Sequence, residues 1–285
     1  MHLAYTIPDH PWIDSADGAA VRIAMTVAAP GQAEGILEKV ITEQARDGGE
    51  YEVTLVRSGG LIAPNLQIGA DLTSCITLRA NSDLANHGVI RGGEGFLVPQ
   101  DQLHQLGYGQ REGIEKHLRP ILNGSDLTST NRTHYVIDLF GLLESEVRDQ
   151  FPEIYQWVFT HVRPGRLNNK RATRRENWWL FNESVPKLRD MLAGLLRFIL
   201  TVETAKRRVF MFIDGSVLPE HKLVNIAHSD ASVLGILSSS VHVTWALAIG
   251  SQLGPTPVYV KTTCFETFPF PACERRFGKR MNLAV

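Results

Sequence analysis

Between Ala231 and Gly250 the chain runs for twenty residues without a formal charge, A-S-V-L-G-I-L-S-S-S-V-H-V-T-W-A-L-A-I-G. That is the length a bilayer core asks of a helix, so the segment either crosses a membrane or lies inside a protein core. It carries four serines, a threonine and His242, and it lacks Lys/Arg flanks and paired aromatic anchors. Val233, Leu234, Leu237, Val241, Trp245 and Leu247 recur at roughly helical spacing. The pattern predicts one helix buried in a soluble core, with His242 as a hydrogen-bonded core histidine and no membrane partner.

A core able to bury such a helix is available, because 44% of the 285 residues are apolar. That fraction rules out wholesale disorder, and the length suits one large or two modest domains. The three cysteines, Cys75, Cys264 and Cys273, are too few and too odd in number for a disulfide scaffold. The opening residues offer neither a basic n-region nor an apolar h-region, so a signal peptide is not expected and the setting is read as cytoplasmic.

The net charge of −1 conceals an asymmetry. Residues 1–100 carry 6 Lys and Arg against 12 Asp and Glu, whereas residues 101–285 carry 23 against 18. The C-terminal part is therefore the one suited to an acidic partner.

Along the chain, Val21–Ala28 and Tyr51–Val56 read as strands, Gly35–Glu43 as a helical turn, and Asp47-Gly48-Gly49 as a turn. Cys75–Leu78 is a further strand candidate. The polar, Gly-rich stretch Asn81–Gly95 places a boundary near residue 80. Its Gly92-Gly93-Glu94-Gly95 lacks the Lys-Ser/Thr of a phosphate loop and is read as an ordinary loop. Pro152 followed by Ile154, Tyr155, Val158, Phe159 and Val162 predicts a helix that Pro164-Gly165 ends. Pro186–Leu196 is expected as a short helix, and Arg197–Val202, Arg208–Ile213 and Leu223–Ile226 as strands.

The strongest chemical signal is the run Arg163, Arg166, Lys170, Arg171, Arg174, Arg175, which holds no acidic residue and is followed by Trp178-Trp179. Cations this dense repel one another unless they are solvated or face a polyanion. Arginine suits phosphate because its fork donates two bonds at once. Asn168, Asn169 and Thr173 add neutral donors of the kind that contact sugar and phosphate. Lys206-Arg207-Arg208 forms a second cluster. Trp178 and Trp179, and the group Phe265, Phe268 and Phe270, are expected to serve packing.

Catalytic and metal patterns are weak. Asp214, Glu220 and Lys222 match a D-x5-E-x-K string, but Asp214-Gly215 is a natural turn that needs no ion. His221, His228 and His242 lack partners at metal-ligand spacing, as do Cys264 and Cys273. No G-x-S-x-G elbow occurs. No catalytic residue and no metal ligand is assigned.

Six strings occur in a recognisable order: R-P-I-L-N-G-S-D-L (Arg119–Leu127), I-D-L-F-G-L (Ile137–Leu142), R-E-N-W-W-L-F (Arg175–Phe181), T-V-E-T-A-K-R-R-V-F (Thr201–Phe210), L-G-I-L-S-S-S-V-H-V-T-W-A-L (Leu234–Leu247) and T-T-C-F-E-T-F-P-F-P (Thr262–Pro271). As a set they resemble the target recognition domain of single-chain adenine-specific DNA methyltransferases, particularly the type IIL (Mme-type) restriction–modification enzymes. Pro11–Met25 is similar to the last strand region of the methyltransferase domain that precedes it in that family.

The resemblance implies a division of labour. In that family an upstream Rossmann-like domain holds S-adenosylmethionine, and an N-P-P-[FY] motif accepts a flipped adenine. This sequence contains no Asn-Pro-Pro and no Gly-rich cofactor loop, so no cofactor is assigned to the chain itself. It is expected to bind double-stranded DNA, and not to methylate, as the specificity part of an enzyme whose catalytic domain acts in cis or in trans. A free-standing or remnant DNA-binding module is the alternative.

The expected fold is α+β. Residues 1–80 form a strand–helix–strand remnant of the methyltransferase domain with unpaired strand edges, 81–272 a mixed-sheet recognition domain with flanking helices, and 273–285 a short basic tail. The phosphate contacts assigned are Arg163, Arg166, Lys170, Arg171, Arg174, Arg175, Lys206 and Arg207. Base readout is assigned to Gln252, Thr256, Tyr259 and Lys261, in a Gly- and Pro-containing loop that follows the long helix and lies between two matched blocks.

Overall fold

A computed structural model describes residues 1–12, 21–46, 51–127, 134–253 and 256–271. The expected turn at Asp47–Gly49 and the basic tail from Cys273 onward lie outside the described residues. The chain divides into two compact units, Met1–Ile76 and Thr77–Val285.

The first unit is a four-stranded sheet of β1 (His2–Trp12), β2 (Val21–Ala29), β3 (Gly35–Ala45) and β4 (Tyr51–Gly60), in the order β2-β1-β3-β4. β1 and β3 run parallel, and the outer pairs are antiparallel. The strand–helix–strand order expected here is therefore wrong in its middle element, since Gly35–Glu43 is strand. Two observations account for this. A Cβ at Gly35 would lie 2.1 Å from the Leu3 carbonyl oxygen, so glycine lets β3 approach β1 closely. Farther along, β3 pairs with β4 over its whole length, with one irregularity between Val40 and Thr42, placing Glu38 opposite Arg57. The Glu38 carboxylate accepts from the Tyr5 hydroxyl at 2.5 Å and from Arg57 Nε at 2.8 Å. Those two bonds, Tyr5 first, hold it below the usual carboxylate range. Cys75–Leu78 forms no strand; it follows a 3-10 turn at Leu72–Ser74, where Asp71 accepts from the backbone and hydroxyl of Thr73.

Apart from Pro11, the buried apolar side chains among the described residues of this unit are Ile7 and Leu37. Each contributes about 1.5–3 kcal/mol, little against the ordering cost of seventy-odd residues. Amides of β1 to β4 are expected to exchange with solvent well before those of the strands Arg197–Val202 and Leu223–Ile226 in the second unit. Equal protection in a hydrogen-exchange time course would overturn that expectation.

The second unit holds two four-stranded sheets. One is ordered β10 (Met211–Asp214), β9 (Arg197–Val202), β12 (Leu223–Ile226), β5 (Ala85–His87). The other is ordered β11 (Leu218–Pro219), β7 (Leu118–Leu122), β8 (His134–Ile137), β6 (Leu97–Val98). The first is covered on both faces: Phe198, Leu200 and Leu223 pack on one side, Ile199, Val224 and Ile226 on the other. Such a sheet needs a continuous apolar run, which R-F-I-L-T-V supplies. The strand expected at Arg208 begins only at Met211, because Arg208 turns inward onto backbone carbonyls.

Helices α1 (Glu144–Gln150), α2 (Pro152–His161), α3 (Arg163–Leu167), α4 (Ala172–Glu176) and α5 (Pro186–Leu192) lie between β8 and β9. Pro152 opens α2 as expected. Pro164 does not end a helix but sits in the first turn of α3, where its missing N–H costs nothing. The α2 face of Ile154, Val158 and neighbouring Val162 packs with Trp178 and Trp179 into the larger core. Both tryptophans therefore serve packing, and Trp179 Nε1 donates to the Leu142 carbonyl at 3.0 Å.

The uncharged stretch Ala231–Gly250 is two helices, α6 (Ala231–Leu237) and α7 (Ser240–Ile249), bent by 54°. Ser239 makes the break: its Oγ donates to the Ile236 carbonyl and accepts from the His242 amide, ending one helix and capping the next. The bend resets the buried face. Val233 and Leu237 point inward as predicted, but Val241 and Leu247 are exposed, and His242 and Ala246 take the core positions. No single described helix is long and apolar enough to cross a membrane.

Candidate nucleic-acid interface

Two exposed sets of side chains stand on the second unit. The first is carried by α3 and α4. Asn169 Oδ1 accepts from the Arg171 amide and turns the chain between the two helices, leaving Lys170, Arg171 and Arg175 exposed and Arg174 half-buried. Arg175 Nη1 donates to the Asn169 carbonyl at 2.6 Å, which fixes its stem without covering the charge. Arg163 is half-buried, its guanidinium 4.6 Å from the Phe159 ring centroid and 5.8 Å from that of Trp178.

Arg166 is a correction. It is 4% exposed, donates to Asn182 Oδ1 and to the carbonyls of Arg91 and Leu180, and lies over the Phe96 ring. Burial first, and Arg174 second, pull its pKa down. With its fork committed internally it is structural and offers nothing to a phosphate.

The second set surrounds a hairpin. β13 (Ser251–Leu253) and β14 (Thr256–Val258) pair antiparallel with Gln252 opposite Pro257 and Leu253 opposite Thr256. The loop expected at Ser251–Lys261 is thus largely a β-ribbon, with Gly254 and Pro255 outside the described residues. β14 pairs in turn with the segment after β9: Thr204 bridges Val258, and the Ala205 amide donates to the Pro257 carbonyl at 3.2 Å. Lys206 and Arg207 follow directly and are exposed. The structure therefore brings these two cations beside the hairpin that carries Gln252, exposed, and Thr256, half-exposed. The apolar residues that flank α3 and α4, Val162 and Trp178, belong to a different packing cluster from Tyr259.

The remaining two base-readout candidates are tied down. Tyr259 is 1% exposed, and its hydroxyl is 2.9 Å from His242 Nε2, so it cannot reach a base without dismantling the core. Lys261 opens a π-helical turn (Lys261–Phe265), and its Nζ is 3.2 Å from Glu266 Oε1. The Tyr259 pairing depends on a helix seventeen residues earlier, whereas that of Lys261 is made within its own turn. The sequence signal that bears on Tyr259 is the lone histidine on an uncharged helix, which needs a buried polar partner.

The weaker motifs resolve into structure. Asp214 accepts from the Ser216 amide and hydroxyl, Glu220 pairs with Arg91 at 2.9 Å, and Lys222 with Glu203 at 3.7 Å. No group of three metal-ligating side chains occurs among the described residues. Gly92–Gly95 leads into a 3-10 turn, Glu94–Phe96, rather than a helix, so no helix N-terminus stands there to receive a phosphate.

Fold and exposed side chains together define an α+β module that offers solvent-facing cations and a polar hairpin. The family model described as "MmeI, target recognition domain" matches residues 85–272. The chain belongs to that family. Among solved structures, it is similar to the type IIL restriction–modification enzyme MmeI in complex with DNA, with a TM-score of 0.69 and 19% identity. The match covers 95% of this chain and 35% of that one, so this chain spans about a third of the enzyme's length. At that identity the likeness is one of fold. No curated protein matches in sequence.

Proposed function

We propose that the chain reads a specific sequence in double-stranded DNA as the specificity part of an adenine-specific methyltransferase or restriction–modification enzyme. The observation that carries this reading is the exposed hairpin flanked by Lys206 and Arg207, within a chain of the target recognition family. Phosphate contacts set a protein's register on the duplex, and short polar side chains in the major groove read base edges. Lys170, Arg171, Arg174, Arg175, Lys206 and Arg207 take the first role, with Arg163 at its edge; Gln252 and Thr256 take the second. Methyl transfer, and the S-adenosylmethionine that supplies the methyl group, belong to a methyltransferase domain acting in cis or in trans. Among the described residues, the Gly-rich stretch Gly92–Gly95 leads into a 3-10 turn and opens no helix of the kind that receives such a cofactor.

Salt titration tests the reading. Removing a cation that neutralises one phosphate is expected to flatten the log–log salt slope of duplex binding by about 0.9. Replacing Lys170, Arg171 and Arg175 with glutamine should therefore flatten it by about 2.7 and weaken all sequences alike. Gln252→Ala with Thr256→Ala should leave the slope in place and erase the preference for one sequence. Absence of duplex binding at low salt refutes the proposal.

A further inference from the structure

The hairpin is short, and nothing in three-residue strands fixes where such a ribbon points. Its orientation comes from both of its roots. At the first root, Gly250 follows α7, and a Cβ there would lie 2.5 Å from the Ala246 carbonyl oxygen, 2.7 Å from that of Val258 and 3.1 Å from Cys264 Sγ. The helix end, the outgoing strand and the following turn meet where only glycine fits.

At the second root stands Tyr259, directly after β14. Its amide donates to the Glu203 carbonyl at 2.7 Å, and its hydroxyl meets His242 Nε2 on α7 at 2.9 Å. His242 is fully buried among the rings of Phe210, Phe268 and Phe270, with no partner for Nδ1 among the described residues. Its single described side-chain hydrogen bond is therefore made to the hairpin root. Arg208 closes the assembly from the other side. Its guanidinium lies 5.1 Å from the Tyr259 ring centroid and donates to the Val202 and Glu203 carbonyls and to Thr201 Oγ1. The same residue immediately follows Lys206 and Arg207.

We propose that His242, Tyr259 and Arg208 form a clasp that holds the hairpin and the Lys206–Arg207 turn as one rigid reading edge, and that they are positioning residues for sequence discrimination. Tyr259 acts through the hairpin and touches no base. The inference rests on the hairpin being the base-contacting element. The clasp itself is a property of the free chain and is measured there separately.

Tyr259→Phe removes the hydroxyl and keeps the ring. In the full chain, hydrogen exchange at the amides of Ala205 and of residue 259 should speed up roughly fivefold to tenfold, the loss of about one net hydrogen bond. Amides of α2 should not change. His242→Gln places a side-chain amide near the former Nε2 position and should keep most of the protection, whereas His242→Leu should not.

The second arm uses a pool of duplexes with a randomised core as the probe. Selection by the unaltered chain should enrich one sequence. Selection by Tyr259→Phe should enrich it roughly fivefold to tenfold less, with unchanged affinity for an arbitrary duplex and an unchanged salt slope. Unaltered exchange in Tyr259→Phe overturns the clasp. Faster exchange with full enrichment overturns its role in specificity. If the unaltered chain enriches nothing while exchange still responds, the clasp stands and the reading of the hairpin falls.

Discussion

Asp138→Ala is expected to destabilise the second unit by about 3–5 kcal/mol, enough to leave it partly unfolded at 37 °C. Asp138 is 3% exposed and faces two partly buried arginines. Arg189 grips it with both terminal nitrogens, at 2.6 and 2.9 Å, while its Nε donates to the Ser184 carbonyl. Arg119 approaches to 3.9 Å and donates onward to carbonyls of the Gly215–Val217 turn. Burial already pulls the Arg119 pKa down, and the Asp138 carboxylate is what counters it. Removing that carboxylate leaves two guanidinium groups in a poorly solvated site with no counter-charge, and the cost is theirs more than that of the missing bonds. Asp138→Asn keeps an acceptor without the charge and should fall between. Asp138→Leu combined with Arg189→Met should recover part of the stability, because an apolar pair of similar volume removes the Arg189 charge together with the carboxylate and leaves only Arg119 without its counter-charge. Urea denaturation measures all three. A loss below about 1 kcal/mol for Asp138→Ala would mean that water reaches the arginines.

This hub shows what the sequence discloses and what it withholds. I-D-L-F-G-L stands out as a string, yet its aspartate is meaningful only because Arg119 and Arg189, nineteen and fifty-one residues away, converge on it. The charged block from Arg163 to Arg175 is just as visible, but density of charge does not say which member turns inward. Arg166 does so because Asn182 and the Arg91 carbonyl happen to lie beneath it. The uncharged Ala231–Gly250 stretch announces burial, since a folded unit has no other place for it. The serine triplet within it also marks the break, for Ser239 is a good N-cap that apolar periodicity alone outvotes. Gly35–Ala45 misleads for a complementary reason. Ile36, Leu37, Val40 and Ile41 fit a helical stripe, while the strand is set by long-range pairing with β4. Local patterns thus reach the polar hairpin proposed above as the reading edge. The inward turn of Tyr259, fixed by a histidine seventeen residues earlier, is beyond them.

Acidification is the second large effect, and it runs through that same histidine. Burial, and then Arg208, push the His242 imidazole down to about 4. In the unfolded chain it titrates near 6.5. Above that value both states hold it neutral and it contributes no pH dependence. Below it, the unfolded chain binds a proton that the folded chain refuses until about pH 4, so stability falls as pH falls through this window. The slope is about 1.4 kcal/mol per unit, which accumulates to about 3 kcal/mol by pH 4. Burial also lowers the pKa of His87 and His228, and their contributions have the same sign. The His242 share is isolated by His242→Gln, which cannot titrate. At pH 7 the variant should be the less stable of the two, and its stability should decline less steeply on acidification, so that the curves converge between pH 6.5 and 4. Parallel curves across that range would show that the folded chain accepts the proton on His242, and that the ring cluster of Phe210, Phe268 and Phe270 is open to water.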